Sequence, residues 1–569
     1  MNRRLIYYIF LMFLILPLTV NAQEDIRREV TMYNPFKPSL NKASKINFLP
    51  EISDTSITIP EFRYTINARP FMPEYEIVTL SAARLQPDPQ AKLYKGFINL
   101  GFGNYFSPLA ELSITSDRSR NSRSGMYLGH ESSFGKLSLD DEIKVYGGYM
   151  DNMVKLYTTR FFRRASLDAN IDFNHIRRYA YGGDPELLPT TETDKDSLKI
   201  EYLNPRAQIN IYTTRLDSSK LYYDIALYYN LLYQNSEYFQ HLAGLSMDLG
   251  YDVKLFYANL GLGYEMITIP NLEDKSRHKI SLLPSIGKKS TNWEFKVGVK
   301  VIADARYYYE EFIDYRTRLF FYPDMKLQIS VIPSILNMYV GLDGEYRNNN
   351  ASEIIYTNPF VVEHSLAGPV KPSLDLYAFL PTDTKMRVKG GITGYASVNT
   401  SYRLSIAYSM FENMVFYKND TILGRGFVPV FDEGELLDIK AAFTTRISKE
   451  VTLSAQGGYY NYSLEYLDKP WHKPSWEGRL SVNYNLRNKI IANADIHGIS
   501  KRYAGLGPDP YVLEELPMNV SLSLGLEYRY TKILSFWTRI NNIALDRYYE
   551  WNFYPSQRFL FMAGFTYSL

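Results

Sequence analysis

The chain has 569 residues, of which 50 are Tyr, 31 Phe and 5 Trp, and hydrophobic residues make up 46% and charged residues 22%, which excludes an intrinsically disordered chain. Lys+Arg 63 against Asp+Glu 61 leaves a formal charge of +2, so there is no basic field for nucleic acid, and with Cys 0 there is no disulfide framework, thiolate metal site or cysteine nucleophile. Beyond the N-terminus no apolar run approaches the ~20 residues that a membrane-spanning helix needs.

Residues 1–22 read as a signal peptide. Arg3 and Arg4 form its positive end, Leu5 to Leu18 its apolar core, and Val20 and Ala22 the small-residue cleavage site. The mature chain is therefore expected outside the cytoplasm. Residues 23–92 carry Pro35, Pro38, Pro50, Pro60, Pro70, Pro73, Pro87 and Pro89 and show little alternation, which predicts an irregular, extended segment. Its apolar side chains, among them Phe36, Phe48, Phe62 and Phe71, are costly to leave in water. The segment is expected to fold back into the lumen of a barrel formed by residues 93–569 and to obstruct it.

From residue 93 to Leu569 short stretches alternate between apolar and polar residues. In 519–530, Val520, Leu522, Leu524, Leu526, Tyr528 and Tyr530 oppose Asn519, Ser521, Ser523, Gly525, Glu527 and Arg529. The stretches 256–266, 293–301 and 479–486 behave alike. A period of two places each set on one face of a sheet. A soluble sandwich would bury the apolar face against a second sheet, whereas a transmembrane barrel turns it to lipid. Charges recurring on the polar face, aromatics near strand ends and connections that alternate short and long favour the barrel. The fold class is therefore all-β: a transmembrane antiparallel barrel of about 22 strands. Long connections are expected at 178–204, 348–384, 418–434 and 502–517, outside the cell.

The C-terminal stretch supplies a resemblance. A strand ending in Asn541-Asn542-Ile543-Ala544-Leu545-Asp546-Arg547-Tyr548, then a Tyr554-Pro555 step, then a last strand with Phe559, Phe561, Ala563, Phe565, Tyr567 and Leu569 on one face, resembles the final hairpin of TonB-dependent receptors. The resemblance covers the barrel and implies an outer-membrane location. It also implies that Phe561, Phe565, Tyr567 and Leu569 form the signal by which the barrel-assembly machinery recognises the strand. The front departs from the family, because 23–92 is shorter than the family's plug; neither a complete plug nor contact with TonB is expected.

Lumen-facing candidates by period are Arg387, Lys389, Arg479, Glu527 and Arg529, of which the four basic ones could steer anions or pair with neighbouring acids. The seven histidines are scattered without an HExxH motif, and no GxSxG motif occurs, so neither a metal, a cofactor nor a catalytic set is expected. Two functional readings remain. One is a barrel that passes or gates a solute across the outer membrane. The other is a non-transporting scaffold subunit that works with other outer-membrane barrels or surface lipoproteins.

Overall fold

The computed structural model describes residues 94–569 apart from 117–118, 140–143, 184–194, 215–220, 236–237, 254–255, 270–275, 310–312, 362–379, 421–423, 507–511 and 545–546. The expectations for residues 1–22 and 23–92 lie outside the described residues. Twenty-two strands form one antiparallel sheet, each paired with its neighbours in the chain. The first, Gly96–Gly103, pairs with the last, Leu560–Ser568, in an unbroken register from Phe97 opposite Ser568 to Gly103 opposite Met562. The sheet is thus a closed barrel without a free edge. Lys95 N–H donates to the Leu569 carbonyl (2.8 Å) and Leu569 N–H to that of Gly96 (2.7 Å), so both ends of the barrel chain meet at one rim, here the proximal rim.

Alternation in the sequence becomes two faces. Val520 (44% exposed), Leu524 (39%) and Leu526 (49%) point away from the lumen, as do Ile171, Ile209, Leu262, Phe321 and Val340 on other strands. This apolar belt is far larger than a soluble monomer exposes and calls for lipid. Tyr251, Phe256 and Trp293 mark its proximal border, and Tyr229, Tyr408 and Trp476 its distal border, as interfacial aromatics do. We expect Leu522→Asp to cost about 2–4 kcal/mol, because it places a carboxylate in hydrocarbon, and Ser521→Asp to be nearly neutral. The check is the temperature at which the folded, heat-modifiable form is lost; equal loss in both variants would contradict the facing.

The inner face explains part of the tyrosine content. Tyr side chains lie flat over glycines of the neighbouring strand and reach onward to a carboxylate. Tyr228 covers Gly244 and donates to Glu265 (3.1 Å), and Tyr257 covers Gly287 and donates to Glu294 (2.9 Å). A Cβ at Gly250 would meet the Tyr222 ring at 1.7 Å, so any side chain there must displace that ring. The closing seam has its own lock. Trp537 Nε1–H donates to Asn99 Oδ1 (2.6 Å) while Asn99 Nδ2–H donates to Glu111 (2.7 Å), tying the strands on both sides of the seam.

Two boundaries differ from the sequence reading. The expected long connection 418–434 is mostly strand, because Thr400–Asn419 and Phe427–Arg446 leave only 420–426 between them. Residues Phe427 to Phe431 do not alternate, since their upper ends are enclosed on both sides (Phe427 is fully buried), and a period-of-two pattern fails there. Likewise 178–204 shortens, with the strand Lys199–Thr213 beginning six residues before Pro205. Strands beside the seam have 8–9 residues, while Ile313–Ile332, Thr400–Asn419 and Phe427–Arg446 have 20 each. About 9–11 residues cross a bilayer. The longer strands therefore carry a wall beyond the membrane on the distal side.

A candidate functional site at the distal mouth

The short helix Ala351–Thr357 lies in the long distal connection between Leu336–Arg347 and Thr382–Ser397. Asn350 caps it, its side-chain oxygen accepting from Glu353 N–H (2.9 Å), and Asn358 followed by Pro359 ends it. Ala351, Ile354 and Ile355 are buried. They meet Tyr202 and Leu232 from one side of the barrel and Tyr417 and Phe427 from strands almost half-way round the ring. Residues from such distant strands can share one cluster only inside the barrel. The helix therefore lies across the mouth.

Polar contacts fasten the helix to the wall. Asn348 donates to Glu265, Asn230 to Ser352 (3.5 Å), Tyr356 to Asn204 (3.1 Å) and Tyr202 to the Pro359 carbonyl (3.2 Å), while Arg206 sits 4.8 Å from the Tyr356 ring centre. Burial raises the pKa of Glu353 on this helix, and Arg347 beside it opposes the rise.

The last distal loop supplies the other half of the cap. Trp551 meets Tyr417 edge-on and Phe427 and His472 at a tilt, at centroid distances of 5.1, 5.4 and 5.0 Å, and Tyr554 packs against Phe360 at 4.0 Å. His472 Nδ1 hydrogen-bonds the Tyr417 carbonyl (3.2 Å), and its Nε2 accepts from Asn552 N–H (3.3 Å). That pattern needs the neutral imidazole with its proton on Nδ1. Burial, reinforced by Arg502 and Lys473, depresses the His472 pKa from 6.5 to about 3. Arg502 in turn donates to the carbonyls of Tyr549 and Glu550. Each large apolar side chain here contributes roughly 1.5–3 kcal/mol by burial. Against this, Tyr238 OH, Asn358 Nδ2 and Trp551 Nε1 are buried without a hydrogen-bond partner among the described residues, at about 1–3 kcal/mol each. The cap is held, yet less firmly than its area implies.

The candidates named from the sequence lie on the inner wall. Arg387 and Lys389 alternate with exposed Met386 and Val388, and both reach Asp343, Arg387 at 2.8 and 3.1 Å and Lys389 at 2.6 Å; Arg387 also contacts Glu345 (3.2 Å). Glu527 and Arg529 pair along one strand (3.1 Å), and Arg479 stands opposite Gln456 and His497. The structure gathers Arg387 with Lys389 around Asp343, and leaves Arg479 and the Glu527–Arg529 pair elsewhere on the wall. Phe561, Phe565, Tyr567 and Leu569 are exposed on the outer face of the closing strand. The cap itself escaped the sequence reading, because a helix of 7 residues is too short for a helical period. The signal that was present is Asn-Asn-Asn at 348–350 followed eight residues later by Asn358-Pro359, a start and a stop.

Comparison with solved structures gives the same architecture. The chain is similar to the copper transporter OprC (TM-score 0.63, 10% identity, 83% of this chain and 82% of that one) and to the FrpB iron transporter of Neisseria meningitidis, F3-3 variant (0.64, 10%, 84% and 82%). It is also similar to the ferric-catecholate import receptor Fiu of E. coli K12 (0.62, 8%, 84% and 82%). The fold is that of the TonB-dependent receptors. No family model and no curated protein sequence matches the chain. A receptor-type barrel of this size, with an even strand count and a lipid-facing belt, is an outer-membrane barrel of the Gram-negative kind.

Proposed function

We propose that this barrel passes a solute across the outer membrane, with the distal mouth at the cell surface and the cap as its outer gate. The observation that carries the reading is the apolar cluster of Tyr202, Ile354, Ile355, Tyr417, Phe427, Trp551 and Tyr554, which spans a lumen wide enough to conduct. The structural neighbours support it, since their names describe transporters and an import receptor for copper and iron species; none is an enzyme, and none favours the scaffold alternative. No catalytic role is assigned. The outward aromatic face of the last strand supports recognition by the barrel-assembly machinery.

Orientation is tested on whole cells. Tyr466 lies in a distal loop and Val398 in a proximal turn, and both are exposed. Tyr466→Cys should react with an impermeant thiol reagent and Val398→Cys only after permeabilisation; the opposite pattern reverses the topology.

Gating is tested by acid. His472 is neutral in the closed cap and would regain an ordinary pKa of 6.5 once exposed. Its folded value is depressed, so as pH falls from 6.5 toward 3 the open form binds a proton that the closed form refuses. Closure weakens over that window, by about 2–3 kcal/mol at pH 4.5. Proteoliposomes should take up a small neutral sugar faster at pH 4.5 than at pH 7, and His472→Gln should remove most of the difference. Absence of flux at both pH values would count against passage.

A further inference from the structure

One feature of the inner wall is unexplained by folding alone. Lys296 and Lys326 are direct cross-strand partners, and the same row continues through Gly341 to Lys389. All three alternate with lipid-facing residues, Phe295, Met325 with Leu327, and Val388, so all three lie on the lumen side. Like charges directly opposite each other destabilise a sheet. Two of the lysines are compensated: Lys296 pairs with Asp324 (2.6 Å) and Lys389 with Asp343 (2.6 Å). Lys326 is exposed to the lumen and has no hydrogen-bond or ion-pair partner among the described residues. Gly341 leaves the wall without a side chain between Lys326 and Lys389, and the Lys389 stem runs across it, its Cε lying 3.2 Å from where a Cβ would stand.

We propose that Lys326, flanked by Lys296 and Lys389, is an oxyanion-binding step on the lumen wall, taking a phosphate or carboxylate group of the solute. Cross-strand neighbours stand about 4.5–5.5 Å apart at Cβ, so an anion held by the Lys326 ammonium lies beside the Asp324-paired Lys296. The nearest carboxylates are already engaged by Lys296 and Lys389, which leaves Lys326 to the ligand. Arg387 and Lys389, with Asp343 shared between them, hold the row in place rather than compete for the anion. The inference rests on the transport reading for its purpose, because it names the class of solute that would pass.

The test is calorimetric titration of the purified full chain in neutral detergent at low salt, with pyrophosphate in one arm and citrate in the other. Saturable binding of either probe is expected. Lys326→Met should weaken it about tenfold or more, Lys326→Arg should largely restore it, and Lys449→Met in a proximal turn should leave it unchanged. Met replaces the lysine stem at a lumen-exposed position, and the heat-modifiable band reports that the variant is folded. Pyrophosphate binding alone narrows the class to phosphates, citrate binding alone to carboxylates. No saturable binding of either probe, or equal binding in Lys326→Met, overturns the proposal. Binding in detergent does not require passage, so a chain that binds but shows no flux in liposomes would fail the transport reading alone.

Discussion

Removing residues 560–569 abolishes accumulation of folded protein in the membrane. The strand Leu560–Ser568 is hydrogen-bonded on both sides, to Gly96–Gly103 and to Leu534–Asn541. Its loss opens two edges in hydrocarbon, where each unsatisfied backbone group costs several kcal/mol and no water can repair it. The inner lock goes with it, because Thr566 Oγ1–H donates to the same Asn99 oxygen (3.3 Å) that receives Trp537. The lost terms sum to more than the entire stability of an ordinary domain. The measurement is the amount of heat-modifiable protein in isolated outer membranes, and full-length levels in the deletion would contradict a closed barrel. A finer version replaces Phe561, Phe565 and Tyr567 with Ser. The strand can still pair, so assembly should slow rather than vanish if these side chains act as the recognition signal.

The double substitution Ile354→Asp with Ile355→Asp expels the cap and leaves the barrel standing. Each side chain is 2% exposed, and a carboxylate there is set among the apolar side chains of the cluster. Burying an unpaired charge costs several kcal/mol, more than the helix can recover through its contacts with Asn204, Asn230 and Glu265. The 22-strand ladder does not depend on the helix, so the barrel fold is retained. Cells producing the variant should become sensitive to a large polar antibiotic that an intact outer membrane excludes, with a reduction in the inhibitory concentration on the order of tenfold. Unchanged sensitivity at equal protein levels, in a chain that also lacks the expected lumenal obstruction of residues 24–80, would mean that the cap does not control the lumen.

Architecture was legible in the sequence because lipid imposes a strict rule. With hydrocarbon outside and water inside, side chains such as Leu522 and Ser521 cannot exchange faces, and the period of two survives along every strand that crosses the bilayer. The rule lapses where strands leave the membrane. Phe427 is buried within the distal wall, so the pattern there no longer alternates and a long loop is the natural, mistaken reading. Site residues divide in the same way. Arg387 and Lys389 are assigned to the inner wall by parity alone, yet Asp343, which joins them, comes from a strand that neighbours them only in the folded register. The cap joins Tyr202 to Tyr417 and Trp551, positions hundreds of residues apart, and no local signal reports such a meeting. His472 illustrates the limit: in the sequence it is one of seven scattered histidines, and in the fold it bridges Tyr417 and Asn552.

The most direct measurement uses the absence of cysteine in the chain. Asn230 and Ser352 approach to 3.5 Å between the wall and the cap helix. Asn230→Cys and Ser352→Cys, joined by a short reducible bismaleimide cross-linker, should hold the cap closed. In planar bilayers at pH 4.5 the cross-linked protein should remain shut, while addition of a reductant should release openings like those of the parent chain. Equal conductance before and after reduction, with the cross-link confirmed by mass, would contradict the claim that solute passes where the cap now sits.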